Sequence, residues 1–293
     1  MGSRCGGGTA LMGDGFVFVS VDAEGLPFAA MPWFMPGWSL FNEMRMVMSR
    51  LVRVVASRLQ EHGRRVVVAD SHGFMVNVDP LELPGDAELV RGFPRTLSMA
   101  MGARGARYAV LLGYHAGAGS DSAFSHTYSG SVVHEVTLNG RSVSEFLLNA
   151  FLLGEWGVPV ALVAGSEELR GEIQAYTPWA VFVPLVRSVG YAATVSRSIG
   201  WAEEELIRAV DEAESRADDG SLKPLTPPSR PRICVTFHSP AYAETASLIP
   251  GAERAEPRTV CYSAENMEEA YRAMEAMVYL GSWARRVLQD QAR

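Results

Sequence analysis

Acids and imidazoles recur at one kind of place in this sequence, directly after short apolar runs. FVFVSV (16–21) leads into Asp22-Ala23-Glu24-Gly25, and RVVVA (65–69) into Asp70-Ser71-His72-Gly73. YAVLLG (108–113) leads into Tyr114-His115, and PVALVAG (159–165) into Ser166-Glu167-Glu168. Carboxylates and neutral imidazoles are the ligands that suit zinc and other first-row divalent ions. Carboxylates gathered without a cation repel one another and raise their own pKa values, which a bound metal relieves. The pattern points to a divalent-metal site drawn from Asp22, Glu24, His72 and His115, with Glu167 or Glu168 as candidates from the fourth run. An acid after a strand can also just cap the next helix or face solvent. The repetition over four runs weighs against that reading for the set as a whole.

The elements that must position these residues are legible as apolar periodicity. The four runs read as buried strands, and AVFVPLV (180–186) as a fifth. Residues 38–62 read as a long helix ending at Gly63. VVHEVTL (132–138) alternates and runs into Asn139-Gly140, a hairpin turn signal. A helix is expected from about Ser144 to Trp156, stopping at Gly157, and an amphipathic one over 201–217. Strands separated by helices predict an α/β fold, a mostly parallel sheet covered by helices on both faces, with a smaller C-terminal α/β domain. In such sheets ligands sit beyond the carboxyl ends of the strands, where the acids and imidazoles fall. The expected organisation is a flexible Gly-rich extension over 1–15, a metal-binding catalytic domain over 16–200, and a C-terminal domain over 201–293. The last includes a Pro-rich strap, LKPLTPPSRPR (222–232), which cannot be a regular element.

Bulk composition narrows the classes. The chain has 293 residues, 48% hydrophobic and 20% charged, an ordinary globular balance. A formal net charge of -7 without a Lys/Arg-rich run argues against nucleic acid and anionic membrane as partners. No apolar run is long enough to span a bilayer, and the N-terminus does not read as a signal peptide, so a cytoplasmic protein is expected. The three cysteines, Cys5, Cys234 and Cys261, are odd in number and far apart, so neither a disulfide framework nor a cysteine zinc knuckle is expected. No H-E-x-x-H, G-x-S-x-G or P-loop occurs, and His134-Glu135 reads as part of an alternating strand.

The same residues carry a family resemblance. SVDAEG (20–25), DSHG (70–73), LLGYHA (111–116), SH (125–126), SEFLLNA (144–150), VALVAG (160–165), SRS (196–198) and KPLTPP (223–228) occur in this order. Together they resemble the DppA-type zinc D-aminopeptidases over nearly the whole chain beyond residue 16. The resemblance implies two divalent ions per subunit, zinc by analogy. Asp22 would bridge them, Glu24 and His72 would complete one, and His115 and Glu145 the other. It replaces the acids after the fourth run with Glu145, which lies in a helix first turn where the dipole favours a carboxylate.

It also implies a catalytic rather than ligating role for His126, as nucleophile or as general acid/base. Asn149, four residues beyond Glu145 on the same helix face, could bind substrate, orient a ligand or be a buried amide. Asp70 could support a liganding histidine or cap its loop. The activity implied is hydrolysis of the N-terminal amide of short peptides carrying D-residues, by a homo-oligomer built as a ring-like decamer. Alternatives are a binuclear amidase or esterase on another small substrate, and a non-catalytic peptide-binding ring.

Two segments depart from the family. Gly165-Ser166-Glu167 stands where Gly-Asp-Asp is usual. LPFAAMPWFMPGW (26–38) is unusually apolar, suited to a substrate pocket or a subunit interface.

Overall fold

The structure is a computed structural model that describes residues 15–31, 34, 36–37 and 39–291. The extension expected over 1–15 therefore lies, apart from Gly15, outside the described residues. In chain order the strands are β1 Val17–Val21, β2 Val66–Asp70, β3 Glu88–Val90, β4 Tyr108–Tyr114, β5 Val133–Leu138, β6 Arg141–Ser142, β7 Val160–Ser166, β8 Val181–Gly190, β9 Ala193–Ser196, β10 Arg232–Phe237, β11 Glu253–Glu256 and β12 Thr259–Ser263. The helices are α1 Phe41–Glu61, α2 Glu145–Glu155, α3 Arg170–Tyr176, α4 Ile199–Asp218, α5 Pro240–Ala246 and α6 Met267–Gln291.

Seven strands form one sheet in the order β3-β2-β1-β4-β7-β8-β9, parallel throughout except for β9. The central strands β1, β4 and β7 are buried at every position. That is why they read as unbroken apolar runs rather than alternating ones. Val17, Val19 and Val21 of β1 pack with Leu51 and Val52 of α1 and Leu206 and Val210 of α4 on one face. Phe18 of β1, Leu111 of β4 and Val163 of β7 pack with Leu148 of α2 on the other.

A second, antiparallel sheet has the order β11-β12-β10-β5-β6. It shares its core with α5 and α6 through Val235, Val260, Ala243 and Met274. Asn139 and Gly140 both sit at positive φ in the β5–β6 turn, the conformation the Asn-Gly pair favours. The packing does not follow a cut at residue 200. Strands β5 and β6 join the second sheet from within 16–200, while α4, from beyond it, covers the seven-stranded sheet. Residues 222–228 carry no regular element, as the prolines require, and cross α2 where Gly154 leaves room. A Cβ there would meet the Leu225 carbonyl oxygen at 1.8 Å.

One expectation is corrected. Cys234 and Cys261 form a disulfide. They lie opposite each other in the β10–β12 ladder, so antiparallel pairing joins cysteines 27 residues apart in sequence.

Candidate metal centre

The strand order reverses between β1 and β4, since the chain winds outward to β2 and β3 and then returns to β1's other side. At such a switch point the strand ends leave a crevice. Asp22 and Glu24 follow β1, His115 follows β4, and His72 comes from the adjacent β2. Two glycines let these ends close on each other. Gly113 sits at φ +76°, where a Cβ would meet the Asp22 carbonyl oxygen at 2.0 Å, and a Cβ on Gly25 would meet that of Tyr114 at 2.1 Å. Backbone bonds from Asp22 N to Leu112 O and from Gly25 N to Gly113 O, both 2.8 Å, lock the contact. Beneath it, Ser20 Oγ lies 2.8 Å from both Ser71 Oγ and Tyr114 OH, joining three strand ends by buried hydroxyls.

Glu145 arrives from another direction. Ser144 caps α2, its hydroxyl accepting from Leu147 N at 3.1 Å, which places Glu145 as the first helical residue. Its Oε1 accepts from Tyr128 N at 2.6 Å.

Five expected ligands thus meet at one place, all buried. His72 Nδ1 is 3.2 Å from Asp22 Oδ1 and 3.1 Å from Glu24 Oε2. His115 Nε2 is 3.5 Å from Asp22 Oδ2 and 3.8 Å from Glu145 Oε1. His126 joins them, its Nε2 lying 3.9 Å from Glu24 Oε1 and 3.8 Å from Glu145 Oε1, and its ring stacks on His115 with centroids 4.5 Å apart. Around a tetrahedral zinc with bonds near 2.0–2.1 Å, ligand atoms stand about 3.3 Å apart. These separations, 3.1 to 3.9 Å, lie on either side of that value. Three overlapping triads result: Asp22, Glu24 and His72; Asp22, His115 and Glu145; Glu24, His115 and His126.

The outer nitrogens of the three histidines are all turned to backbone carbonyls. His72 Nε2 donates to Phe34 O at 2.9 Å, His115 Nδ1 to Ala116 O at 3.0 Å, and His126 Nδ1 to Phe124 O at 2.7 Å. A carbonyl only accepts, so these nitrogens carry the hydrogens. In the neutral rings the inner nitrogens therefore face the carboxylates with bare lone pairs, the arrangement a metal requires of imidazole. His115 Nε2 is buried without a hydrogen-bond partner, a costly state for a polar atom that a cation would end. The residues present fit a divalent metal.

The electrostatics agree. Burial, then the charge of Glu24, holds the Asp22 carboxyl well above its usual range. Burial pushes Glu24 the same way, but the facing His72 overrides it and holds Glu24 well below. Burial opposes protonation of His72, yet the two acids raise it well above an ordinary imidazole. Burial and the neighbouring His126 push His115 down. Without a cation, the charge of the two acids thus falls chiefly on His72, favouring its protonated form.

Other residues fall into place around this cluster. Asp70 holds the loop beyond His72, accepting from Val78 N at 2.7 Å and Asn77 Nδ2 at 2.9 Å, while Asn77 also donates to His72 O at 2.7 Å. Asn149 is buried, giving an N–H to Glu145 O at 2.8 Å and accepting from Tyr271 OH at 3.1 Å. Its amide thus bonds the backbone of Glu145 on one side and Tyr271 on the other. Glu167 pairs with Arg170, and Glu168 binds Ser166 Oγ and Ser188 N, so neither joins the ligand triads.

Sequence reading missed Phe34, Ala116 and Phe124, because a carbonyl that orients an imidazole leaves no mark on residue type. It also missed Ser20, whose only signal is a hydroxyl inside an apolar strand. A groove of about 710 Å³ lined by Phe28, Asn42, Arg45 and Arg50 lies beside α1 and contains none of the cluster.

Comparison with known proteins bears on this geometry. Residues 16–276 match the peptidase M55 family, described as D-aminopeptidase. The chain is 32% identical over 272 residues to the D-aminopeptidase of Bacillus subtilis (strain 168), covering 90% of this chain and 97% of that protein. It superposes with a TM-score of 0.85 and 30% identity on a solved structure, the Zn-dependent D-aminopeptidase DppA from Bacillus subtilis, described as a self-compartmentalizing protease. That match covers 91% of this chain and 97% of the other.

Proposed function

This chain belongs to the M55 family of D-aminopeptidases, and on that premise we propose that it removes the N-terminal residue from short peptides carrying D-residues, using two zinc ions per subunit. It is a zinc metallopeptidase of that family. In our reading Asp22 would be shared between the ions, with Glu24 and His72 holding one and His115 and Glu145 the other. The observation that carries this is the convergence of the inner nitrogens of His72 and His115 on three buried carboxylates, with His115 Nε2 left without a hydrogen bond. Three ligations per ion leave positions for water and substrate, as a catalytic site needs. Two divalent ions against three carboxylates leave one positive charge, suited to the anion that develops when an amide is attacked. Zinc, when bound, supplies Lewis-acid polarisation of the scissile carbonyl and of water.

The protein's own residues do the rest. His126 is the most exposed of the three histidines, with 22% of its side chain accessible. Its Nδ1–H stays on the Phe124 carbonyl, so proton traffic is confined to Nε2. As general base it takes the proton of the attacking water while the new C–O bond forms. It then passes that proton to the leaving nitrogen as the C–N bond breaks. Asn149 and Tyr128 hold Glu145 from below, through its backbone oxygen and its Oε1.

The description of the relative as self-compartmentalizing supports a homo-oligomer, which we take to be a ring-like decamer in the cytoplasm. No helix among the described residues is long and apolar enough to cross a membrane. The division into catalytic and C-terminal regions is kept as part of the proposal, with α4 assigned to the catalytic one. Activity on D-Ala and L-Ala peptides with zinc tests the function: cleavage of the D-peptides is expected, and no cleavage of any D-peptide would sink the reading.

A further inference from the structure

We infer that the cluster holds two alternative seats for its second metal ion, and that in one of them His126 is a ligand. This rests on the binuclear reading above and deepens it. One seat is Asp22, His115 and Glu145; the other is Glu24, His115 and His126.

The acid distances in the two seats are similar. In the first, His115 Nε2 stands 3.5 Å from Asp22 Oδ2 and 3.8 Å from Glu145 Oε1; in the second, His126 Nε2 stands 3.9 Å from Glu24 Oε1. Glu145 Oε1 is also 3.8 Å from His126 Nε2, so both seats border one carboxylate. Glu24 is placed to serve the second seat without leaving the first ion, since its Oε2 faces His72 while its Oε1 faces His126. The stacked rings of His115 and His126 bring both bare nitrogens to the same side of the pocket.

The seats exclude each other. His115 Nδ1 is committed to the Ala116 carbonyl, so only Nε2 can ligate, and it serves one ion at a time. The total stays at two ions, and what changes is the donor set. The Asp22 seat offers two carboxylates and one imidazole; the His126 seat offers one carboxylate and two imidazoles. Ions that prefer imidazole, above all Cu²⁺ at the peak of the Irving–Williams order, favour the His126 seat. Oxygen-preferring ions such as Mn²⁺ favour the other. An ion in the His126 seat occupies the Nε2 lone pair that proton transfer needs, so the enzyme is silenced by a metal in its own centre.

The imidazole count is diagnostic, because each of the other two triads contains a single histidine. One equivalent of Cu²⁺ is added to the metal-free full chain, and pulsed EPR counts the coupled imidazoles. Two are expected in the natural chain, one in His126→Ala, and still two in His72→Ala. A single imidazole in the natural chain, or two remaining in His126→Ala, overturns the inference. The zinc enzyme is assayed separately on D-Ala peptides. Cleavage by a protein whose copper sees one imidazole leaves the function standing and removes the second seat. Two imidazoles in a protein that cleaves nothing does the reverse.

Discussion

The rings of Phe34 and Phe124 meet edge-on with centroids 4.7 Å apart, and the carbonyl of each receives the outer nitrogen of a different site histidine. Phe34 holds His72 and Phe124 holds His126. Phe34, which belongs to the apolar segment after Glu24, thus sits beside the metal cluster. It ties a ligand to the proposed general base through one aromatic contact. Phe124 adopts φ +56°, a conformation that a packed ring helps to hold in a non-glycine residue.

Removing that contact should loosen the base without removing metal. In Phe124→Ala the carbonyl survives but its turn loses its anchor. A misplacement of about 1 Å can cost a hundredfold in rate. We expect kcat to fall about ten- to a hundredfold with zinc content unchanged. Steady-state kinetics beside metal analysis checks this, and an unchanged kcat would separate the aromatic pair from His126.

The two stacked histidines should part under substitution. His126→Ala should lose turnover and keep two zinc ions, since Asp22, His115 and Glu145 still form a seat. His115→Ala should lose both turnover and one ion. Full turnover in His126→Ala would remove its assigned role.

Glu275 on α6 gives a pH signature away from the ligands. It is buried, with Oε1 lacking a hydrogen-bond partner, and faces Tyr279, Ser98, Tyr271 and Arg95, with Glu145 close enough to repel it. Burial, aided by Glu145, raises its pKa from 4.5 to about 7. The folded state therefore binds this proton more tightly than the unfolded chain. The resulting stability is fully present below about pH 4.5 and lost as the pH rises through about 7. The shift corresponds to about 3 kcal/mol. Glu275→Gln should flatten this slope, gaining on the natural protein between pH 5 and pH 8 in thermal unfolding. A stability difference that stays constant with pH would contradict the assignment.

The Cys234–Cys261 bridge should be countable. Alkylation of unfolded protein before reduction should consume two thiols fewer than after it. The bridge closes a loop of 27 residues, which in the chain-entropy account contributes about 3.5 kcal/mol. A reductant should therefore lower the Tm of the natural protein but not that of a Cys234→Ser, Cys261→Ser double variant. Equal thiol counts would show no bridge. Cytoplasmic surroundings keep such pairs reduced, so the count from rapidly quenched cells also tests the expected compartment.

What the sequence made legible follows from burial. Strands β1, β2, β4 and β7 are covered on both faces, so their apolar runs stand out and the polar residues at their ends announce a site. Edge strands escaped for the opposite reason. Glu253–Glu256 is exposed at every position, and Ala193–Ser196 alternates exposed with half-buried ones, so neither carries an apolar pattern. Long-range pairing was equally silent. That β5 lies against β10, or Cys234 against Cys261, depends on contacts across the chain that no local window contains. Glu145 lies on a helix, outside any rule about strand ends, and only the family resemblance singled it out. Asn149 shared its helix face as expected. Its bond to Tyr271, 122 residues away, left no local signal.

We propose that Asp22, Glu24, His72, His115 and Glu145 together hold two zinc ions. A crystal structure of the zinc-loaded protein with anomalous data at the zinc edge tests all five at once. Two peaks are expected, one among Asp22, Glu24 and His72 and one among Asp22, His115 and Glu145, with Asp22 touching both. A single peak, or peaks away from these side chains, would contradict the account.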